Sequence, residues 1–251
     1  MKQCAADPQE AETEWAVRRD LALCYRLVAL HGWDDLVATH ISARLPGRNS
    51  FLINPFGMLF EEMTPEALVE IDEDGNKLSE SPYEVNRAGF VIHSAVHATR
   101  PKAGCVIHLH TKDGVAVSAM EAGLLPLNQG AMAVAADLSF HEYEGAATNL
   151  DERESLARDL GDKRLMLLRN HGTLAVGTTV AECFTYMYFL ETACTTQVRT
   201  LSMNQPLHEA HAAVIEEVGL QAAAFFPGMA EKQVWPAMLL KAERLWPDFP
   251  H

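Results

Sequence analysis

Two histidines lie two positions apart in the apolar segment CVIHLH, residues 105–110. The segment is typical of a β-strand, in which alternate side chains share a face, so His108 and His110 would lie together with Cα atoms about 6.6 Å apart. Two imidazoles so placed can bind one metal ion. The pair also fits two hydrogen-bonded polar side chains at a sheet edge, so H-x-H alone leaves both interpretations open.

A third histidine favours the metal interpretation. His171 follows the apolar stretch LMLLR in the sequence Asn170-His171-Gly172, which predicts a tight turn directly after a buried strand. Glycine permits the backbone conformations that such a turn needs, and a side chain at the end of a sheet is accessible to ligands. Three neutral imidazoles that leave a coordination position open form a metal site of the catalytic type.

Five segments resemble, in order and spacing, the class II aldolase and adducin family over about residues 15–200. They are HISARL, FLINPFGMLFEEMTPEALVEIDEDG, HSAVHATRP, CVIHLHT and LLRNHGTLAVGTTVAECF. In the sugar-phosphate members the matching histidines bind a divalent ion, usually zinc, so the resemblance implies that His108, His110 and His171 are metal ligands. Iron, manganese or cobalt would also suit the site. The resemblance further implies a three-layer α/β/α sandwich and a homo-oligomer, a tetramer with sites between its subunits.

The chain departs from the sugar-phosphate aldolases at the residues that bind phosphate and transfer protons. Where those enzymes carry phosphate-binding asparagine and serine residues, this sequence has His40, Phe56-Gly57 and Arg87-Ala88. The aldolase acid/base glutamate lies four residues before the position of His93, which is Gly89 here, and glycine cannot transfer a proton. The resemblance therefore implies the fold and the metal, but not the sugar-phosphate mechanism.

Other side chains could supply the missing groups. In the segment SFHEYEG, Glu142 and Tyr143 point to opposite faces of a strand, so either could face the metal site and transfer protons, although an ordinary surface strand is the alternative. Arg87 could hold a carboxylate through two hydrogen bonds, and a surface ion pair at the start of a helix fits its position equally well. The other candidates for substrate binding are His40, Asn54 and His93.

The overall charge disfavours two classes of partner. Lys and Arg number 20 and Asp and Glu 34, which gives a net charge of −14, and no basic cluster is present to bind nucleic acid or an anionic membrane. No apolar run approaches the ~20 residues that span a bilayer, and the N-terminal residues lack the pattern of a signal peptide. We expect a soluble, cytoplasmic protein that acts on a small molecule. The five scattered cysteines predict reduced, buried thiols.

The elements that must position these residues alternate between helices and short strands. Predicted helices span residues 12–31, 86–99, 113–120, 152–160 and 179–201, with a short helix after Thr64. Predicted strands lie in HISARL, SFLIN, CVIHLH, AMAV, LSFHEY, RLMLLRN and TLAVG, with a hairpin around Asp74-Gly75. His93 and His97, four residues apart on a helix, fit packing or substrate contact better than a second metal site.

This alternation predicts an α/β fold, a three-layer α/β/α sandwich with a central, largely antiparallel mixed sheet. With no internal repeat or linker, the 251 residues fit a single domain over residues 1–251, with a core at about 15–200 and a C-terminal extension at 201–251. Residues 235–251 contain two tryptophans, a phenylalanine and three prolines, and we expect them to form a strap over a surface and not a core element.

The leading functional hypothesis is a metal-dependent lyase that acts on a small carboxylated or hydroxylated carbonyl compound. Retro-aldol cleavage and decarboxylation both generate an enolate that a metal ion can stabilise. Three histidines with open coordination positions also suit Fe(II), so an iron-dependent oxygenase is a second hypothesis. The adducin branch of the family supplies a third, a non-catalytic binding protein.

Overall fold

The computed structural model of the protein describes residues 8–145 and 152–250, without the side chains of residues 8–12, 87 and 88. The helices are α1 (Pro8–Leu30), α2 (Arg87–Thr99), α3 (Lys112–Ser118), α4 (Gln129–Ala135), α5 (Glu152–Leu160), α6 (Val180–Ser202), α7 (Ala212–Met229) and α8 (Trp235–Leu245). The strands are β1 (His40–Arg44), β2 (Ser50–Ile53), β3 (Val69–Asp72), β4 (Cys105–Leu109), β5 (Leu138–His141), β6 (Leu165–Leu168) and β7 (Gly172–Gly177). A 3-10 turn at Phe60–Glu62 precedes β3, and a π-helical segment at Ala230–Val234 joins α7 to α8.

The seven strands form one sheet in the order β3-β2-β1-β4-β7-β6-β5. Neighbouring strands are antiparallel except for β5 and β6, which are parallel. In this register His40 of β1 lies opposite His108 of β4, and Leu109 lies opposite Thr173 of β7. The sheet therefore brings together the histidine-bearing ends of three separate sequence segments.

Helices cover both faces of this sheet. On one face, apolar side chains of α2 and α5, among them Val96 and Leu156, pack on Met166 and Val176 of the strands. On the other face, α1, α6 and the C-terminal helices enclose a larger core. This arrangement confirms the predicted three-layer α/β/α sandwich with a largely antiparallel mixed sheet.

Local signals in the sequence fix the helix ends that lie near the histidines. Gly32, at φ +67°, ends α1, and its N–H donates to the carbonyl of Ala29 at 2.8 Å. Helix α3 begins at Lys112, two residues after His110, because the hydroxyl of Thr111 accepts from the N–H of Gly114 at 2.9 Å and caps the helix. The chain after β4 therefore turns sharply into a helix at the candidate site.

Two of the sequence predictions for short elements are wrong. The predicted strand AMAV lies in helix α4, which Asn128 caps by accepting a hydrogen bond from the N–H of Ala131 at 3.0 Å. A short apolar run fits a strand or a buried helix equally well, and the cap decides for the helix. The predicted helix after Thr64 is a single turn, in which Ala67 N–H donates to the Thr64 carbonyl.

The structure partly corrects the prediction that the C-terminal segment forms a strap. Residues 235–245 form helix α8, and Trp235 is 5% exposed within the main core, so this part is a core element and not a strap. The residues beyond it do lie across α1, where the guanidinium of Arg26 stacks 5.7 Å from the ring of Trp246 and 5.0 Å from that of Phe249.

The remaining predictions from composition concern the cysteines and the membrane. Cys24, Cys105, Cys183 and Cys194 are free and buried, as predicted, while Cys4 lies outside the described residues. Among the helices that the structure describes, none has both the length and the apolarity needed to cross a bilayer.

Candidate metal centre

Three histidine side chains converge where the central strand β4 ends and its neighbour β7 begins. His108 lies in β4, His110 directly follows it, and His171 precedes β7. One potential ligand atom from each lies within 4.8 Å of the other two, and the ring centroids are 4.7 to 4.8 Å apart. The structure therefore brings together the three histidines that the family resemblance implies as metal ligands, in a group that could hold one metal ion.

The orientation of His108 is set by strand β7. Its Nδ1–H donates a hydrogen bond of 2.9 Å to the carbonyl oxygen of Thr173. Because a carbonyl oxygen can only accept, the proton of the neutral ring lies on Nδ1, and the lone pair of Nε2 is free to bind a metal ion. That Nε2 faces Nε2 of His110 at 2.9 Å.

His171 lies in a turn whose backbone depends on both of its neighbours. Asn170 has a φ of +56°, a left-handed conformation that asparagine adopts more readily than most residues. A Cβ on Gly172 would lie 2.2 Å from the carbonyl oxygen of Leu109, so a side chain there would push β7 away from β4. The Asn-His-Gly sequence therefore allows the two strands to approach closely beside His171.

The donor set suits a divalent ion. Burial is the main cause that holds the pKa of His108 well below its usual range, and burial with the charges of His110 and His141 lowers the pKa of His171 to about 4. Both rings are therefore neutral at pH 7, as metal binding requires. Tetrahedral zinc sites place imidazole nitrogens about 3.3 Å apart, close to the 2.9 Å between the Nε2 atoms of His108 and His110. The residues present thus fit zinc, and also iron, manganese or cobalt.

A second group of histidines, fully buried, lies beside His108. The rings of His40 and His108 face each other across β1 and β4 with centroids 5.2 Å apart. Nδ1 of His40 shares a hydrogen bond of 2.9 Å with Nε2 of His93, and the Ser42 hydroxyl joins Nδ1 of His93 to Nε2 of His97. His93 therefore contacts His40, not the triad, and in the described residues neither His93 nor His97 belongs to a potential three-ligand group.

The imidazole of His40 occupies the space that a side chain at position 89 would need. A Cβ on Gly89 would lie 2.7 Å from Cδ2 of His40 and 3.2 Å from its Nε2. Burial, followed by the charges of the neighbouring histidines, holds the pKa of His40 well below its usual range, so the ring is neutral at pH 7. A neutral imidazole from β1 therefore fills the space beside Gly89, the position at which the resemblance to sugar-phosphate aldolases implies the loss of a carboxylate.

The two predicted proton-transfer residues lie in different environments. The ring of Tyr143 is 56% exposed and approaches His171 edge-on, with centroids 6.2 Å apart. The carboxylate of Glu142 is 86% exposed and lies 4.0 Å from Nε of Arg169. The structure thus brings Tyr143, and not Glu142, against the triad.

The other predicted substrate contacts differ in their surroundings. Asn54 is 2% exposed, and its side-chain oxygen accepts a hydrogen bond of 2.9 Å from the hydroxyl of Tyr25 in α1. Its backbone N–H donates to the same hydroxyl at 3.0 Å, so Asn54 ties the end of β2 to α1. Arg87 is the first residue of α2, and its side chain lies outside the described residues.

Glu191 of α6 is a buried carboxyl on the face of the sheet that α6 covers. It was not among the residues predicted from the sequence. It is 1% exposed and accepts hydrogen bonds from the hydroxyls of Thr111 and Thr173. Thr111 follows His110, and the Thr173 carbonyl accepts from His108, so Glu191 holds both of these histidine-bearing segments. Burial is the main cause that raises the pKa of Glu191 to about 7, although the two hydrogen bonds oppose it.

This raised pKa predicts a pH-dependent stability. The folded state binds the Glu191 proton more tightly than the unfolded chain, whose carboxyl titrates near 4.5, so this residue destabilises the fold as pH rises from about 4.5 to 7. The unfolding free energy should fall by about 3 kcal/mol over this range, since each unit of pKa corresponds to about 1.4 kcal/mol. Glu191→Gln should remove this pH dependence. We expect the unfolding free energy of the variant, relative to the wild-type protein, to rise by that amount between pH 4.5 and 8.

The measurement is denaturant unfolding of the metal-free protein across that pH range. Glu216→Gln, at an exposed position on α7, is the matched control and should track the wild-type protein. If the difference between Glu191→Gln and the wild-type protein does not change with pH, Glu191 does not titrate in this window.

Comparisons with known proteins identify the family of the chain. The family model described as "Class II Aldolase and Adducin N-terminal domain" matches residues 19–198. A Caulobacter vibrioides protein whose name assigns it provisionally to aldolase class 2 is 52% identical over 241 residues, which are 95% of this chain and 93% of that protein. The solved structure of L-fuculose 1-phosphate aldolase from Glaciozyma antarctica PI12 matches with a TM-score of 0.83 and 26% identity, covering 100% of this chain and 97% of that one.

A second kind of relative belongs to the adducins. Mouse alpha-adducin is 42% identical over 193 residues, which are 75% of this chain but 26% of the adducin. The match of the family model to most of the chain, with the identity to these relatives, shows that the protein belongs to the class II aldolase and adducin family.

Proposed function

We propose that this protein is a divalent-metal-dependent lyase of the aldolase type, which cleaves or decarboxylates a small carboxylated or hydroxylated carbonyl compound. The observation that carries the proposal is the convergence of His108, His110 and His171 into one group, in which burial keeps the rings of His108 and His171 neutral at pH 7. An ion bound there would supply a Lewis acid for a substrate oxygen on which negative charge develops.

The chain's own residues suit the remaining tasks. We assign His40 a contact with the substrate through Nε2, because its Nδ1 is bonded to His93 and its ring lies against His108. The phenol of Tyr143, exposed beside His171, is the group we assign to proton transfer. Glu142, turned toward Arg169, is the weaker of the two candidates for that role.

The surroundings favour a carboxylate over a sugar phosphate as the substrate anion. A doubly charged phosphate needs several donors, but Phe56 is 48% exposed at a turn where the aldolases carry a serine, and a phenylalanine side chain donates no hydrogen bond. A planar carboxylate can be held by one guanidinium. We assign that contact to Arg87, at the start of the helix that carries Gly89.

A competition series on metal-loaded protein tests this substrate class. Keto acids and hydroxy acids should bind more tightly than fuculose phosphate or ribulose phosphate, and Arg87→Ala should weaken their binding by about 1.5 to 3 kcal/mol if the charged hydrogen bond is made. Faster turnover of either sugar phosphate than of every acid tested would show that other residues have rebuilt a phosphate pocket. Loading with Fe(II) and following oxygen uptake in the same series separates an oxygenase from a lyase.

The adducin relatives support a second candidate, a non-catalytic binding protein. This chain spans about a quarter of alpha-adducin, so it has only one segment of that protein in common. A protein partner whose binding survives removal of the metal and of His171, with no turnover of any substrate tested, would favour this candidate. Zinc as the ion, a homotetramer and a cytoplasmic location stay predictions.

A further inference from the structure

The loop at residues 33–38, between α1 and β1, brings a carboxylate to the candidate metal centre. Oδ2 of Asp35 accepts a hydrogen bond of 3.2 Å from Nδ1–H of His110. The other ring nitrogen of His110, Nε2, faces Nε2 of His108 at 2.9 Å. Asp35 therefore contacts His110 on the side of the ring that points away from the position of an ion.

We propose that Asp35 is a positioning residue of the metal centre, which holds the proton of His110 on Nδ1 and aims the lone pair of Nε2 at the ion. This inference rests on the proposed metal-dependent function. Carboxylates that accept from a ligating histidine fix its tautomer and ring orientation and strengthen it as a ligand. The carbonyl of Thr173 fixes the tautomer and orientation of His108 in the same way, but it carries no charge.

The charge of Asp35 adds a second effect. Three neutral imidazoles leave the full charge of a divalent ion uncompensated, and a carboxylate one ring away reduces that excess. The interaction falls off with screening because the Asp35 side chain is 48% exposed. The hydrogen bond to His110 should therefore contribute more than the charge alone.

The loop is held in the conformation that makes this contact. Trp33 stacks on His31 with ring centroids 4.5 Å apart, and Ala38 N–H donates to the carbonyl of Asp35 at 2.9 Å. Leu36 adopts a φ of +51° although its side chain is 74% exposed, so burial of that side chain does not explain the unfavourable backbone. The strained residue adjoins the one that touches the metal ligand.

The test measures zinc affinity, not turnover, so that it stands apart from the lyase proposal. Protein stripped of metal would be titrated with zinc against a chromogenic chelator, for the wild type, Asp35→Ala, Asp35→Asn and Asp34→Asn. Asp35→Ala should weaken zinc binding about 10- to 100-fold, the range typical for loss of such a partner. Asp35→Asn should fall between Asp35→Ala and the wild type, because its amide oxygen can still accept from Nδ1–H but carries no charge.

Asp34→Asn is the matched control, since it removes the same charge one residue away and should leave zinc binding unchanged. The melting temperatures of the metal-free proteins distinguish a role of Asp35 in positioning His110 from a role in stabilising the loop. A purely structural role would lower the melting temperature and leave the zinc affinity unchanged. If Asp35→Ala fails to fold, the zinc affinity of Asp35→Asn alone tests the proposal. The proposal is overturned if Asp35→Asn and any folded Asp35→Ala bind zinc as tightly as the wild type, if Asp34→Asn weakens binding equally, or if the wild type binds no ion. Weakened binding in a protein with no lyase activity would uphold the role of Asp35 and contradict the proposed reaction.

Discussion

His171→Ala should abolish stoichiometric metal binding, as should His108→Ala. Each removes one of three neutral ligands, so the loss should exceed the roughly 10- to 100-fold that follows when only a hydrogen-bond partner of a ligand is removed. The fold of His171→Ala should survive, because His171 lies in the turn between β6 and β7 and not in the apolar core. The measurement is elemental analysis of purified protein, for which we expect about one divalent ion per wild-type chain.

His208→Ala is the matched control, because His208 is an exposed histidine far along the chain from the triad. It should retain the metal content of the wild type. A folded His171→Ala or His108→Ala protein that still contains one ion per chain would show that the triad is not the metal site.

Gly89→Ala should destabilise the protein, although alanine normally stabilises a helix interior relative to glycine by about 0.5 to 1 kcal/mol. The added Cβ would lie 2.7 Å from Cδ2 of His40, whose ring is held by His93 and is 1% exposed, so the ring cannot yield cheaply. Overpacking of this kind costs about 1 to 3 kcal/mol. In a His40→Asn background, where the shorter side chain opens the space, Gly89→Ala should become neutral or stabilising.

Denaturant unfolding of the four proteins of this double-mutant cycle measures the coupling between the two positions. Gly228→Ala is the matched control, because Gly228 lies in α7 with nothing within 4 Å of its Cβ position, and this change should stabilise the protein. If Gly89→Ala also stabilises the otherwise wild-type protein, His40 does not fill the space beside position 89.

Much of the fold and part of the triad could be predicted from local periodicity, while the grouping of His171 with the other two histidines came from the family resemblance. Alternation along CVIHLH places His108 and His110 together, and the Asn-His-Gly turn places His171 at a strand end. The helix α4 was missed because a short apolar run has no period of its own and its type depends on Asn128, a cap outside the run.

The surroundings of the triad could not be predicted, because they arise from contacts between distant segments. The hydrogen bonds of Asp35 to His110 and of His40 to His93 join residues 75 and 53 positions apart. Glu191 did carry a signal, since it falls on the apolar face of α6 with Met187 and Cys194. A charged residue on a buried face indicates a built polar contact, although not its partners.

Anomalous scattering from crystals of the zinc-loaded protein tests the central claim most directly. Data collected on both sides of the zinc absorption edge should show one strong peak per chain, about 2.0 to 2.1 Å from a ring nitrogen of each of His108, His110 and His171. A zinc peak bound elsewhere, with none between these three side chains, would contradict the account.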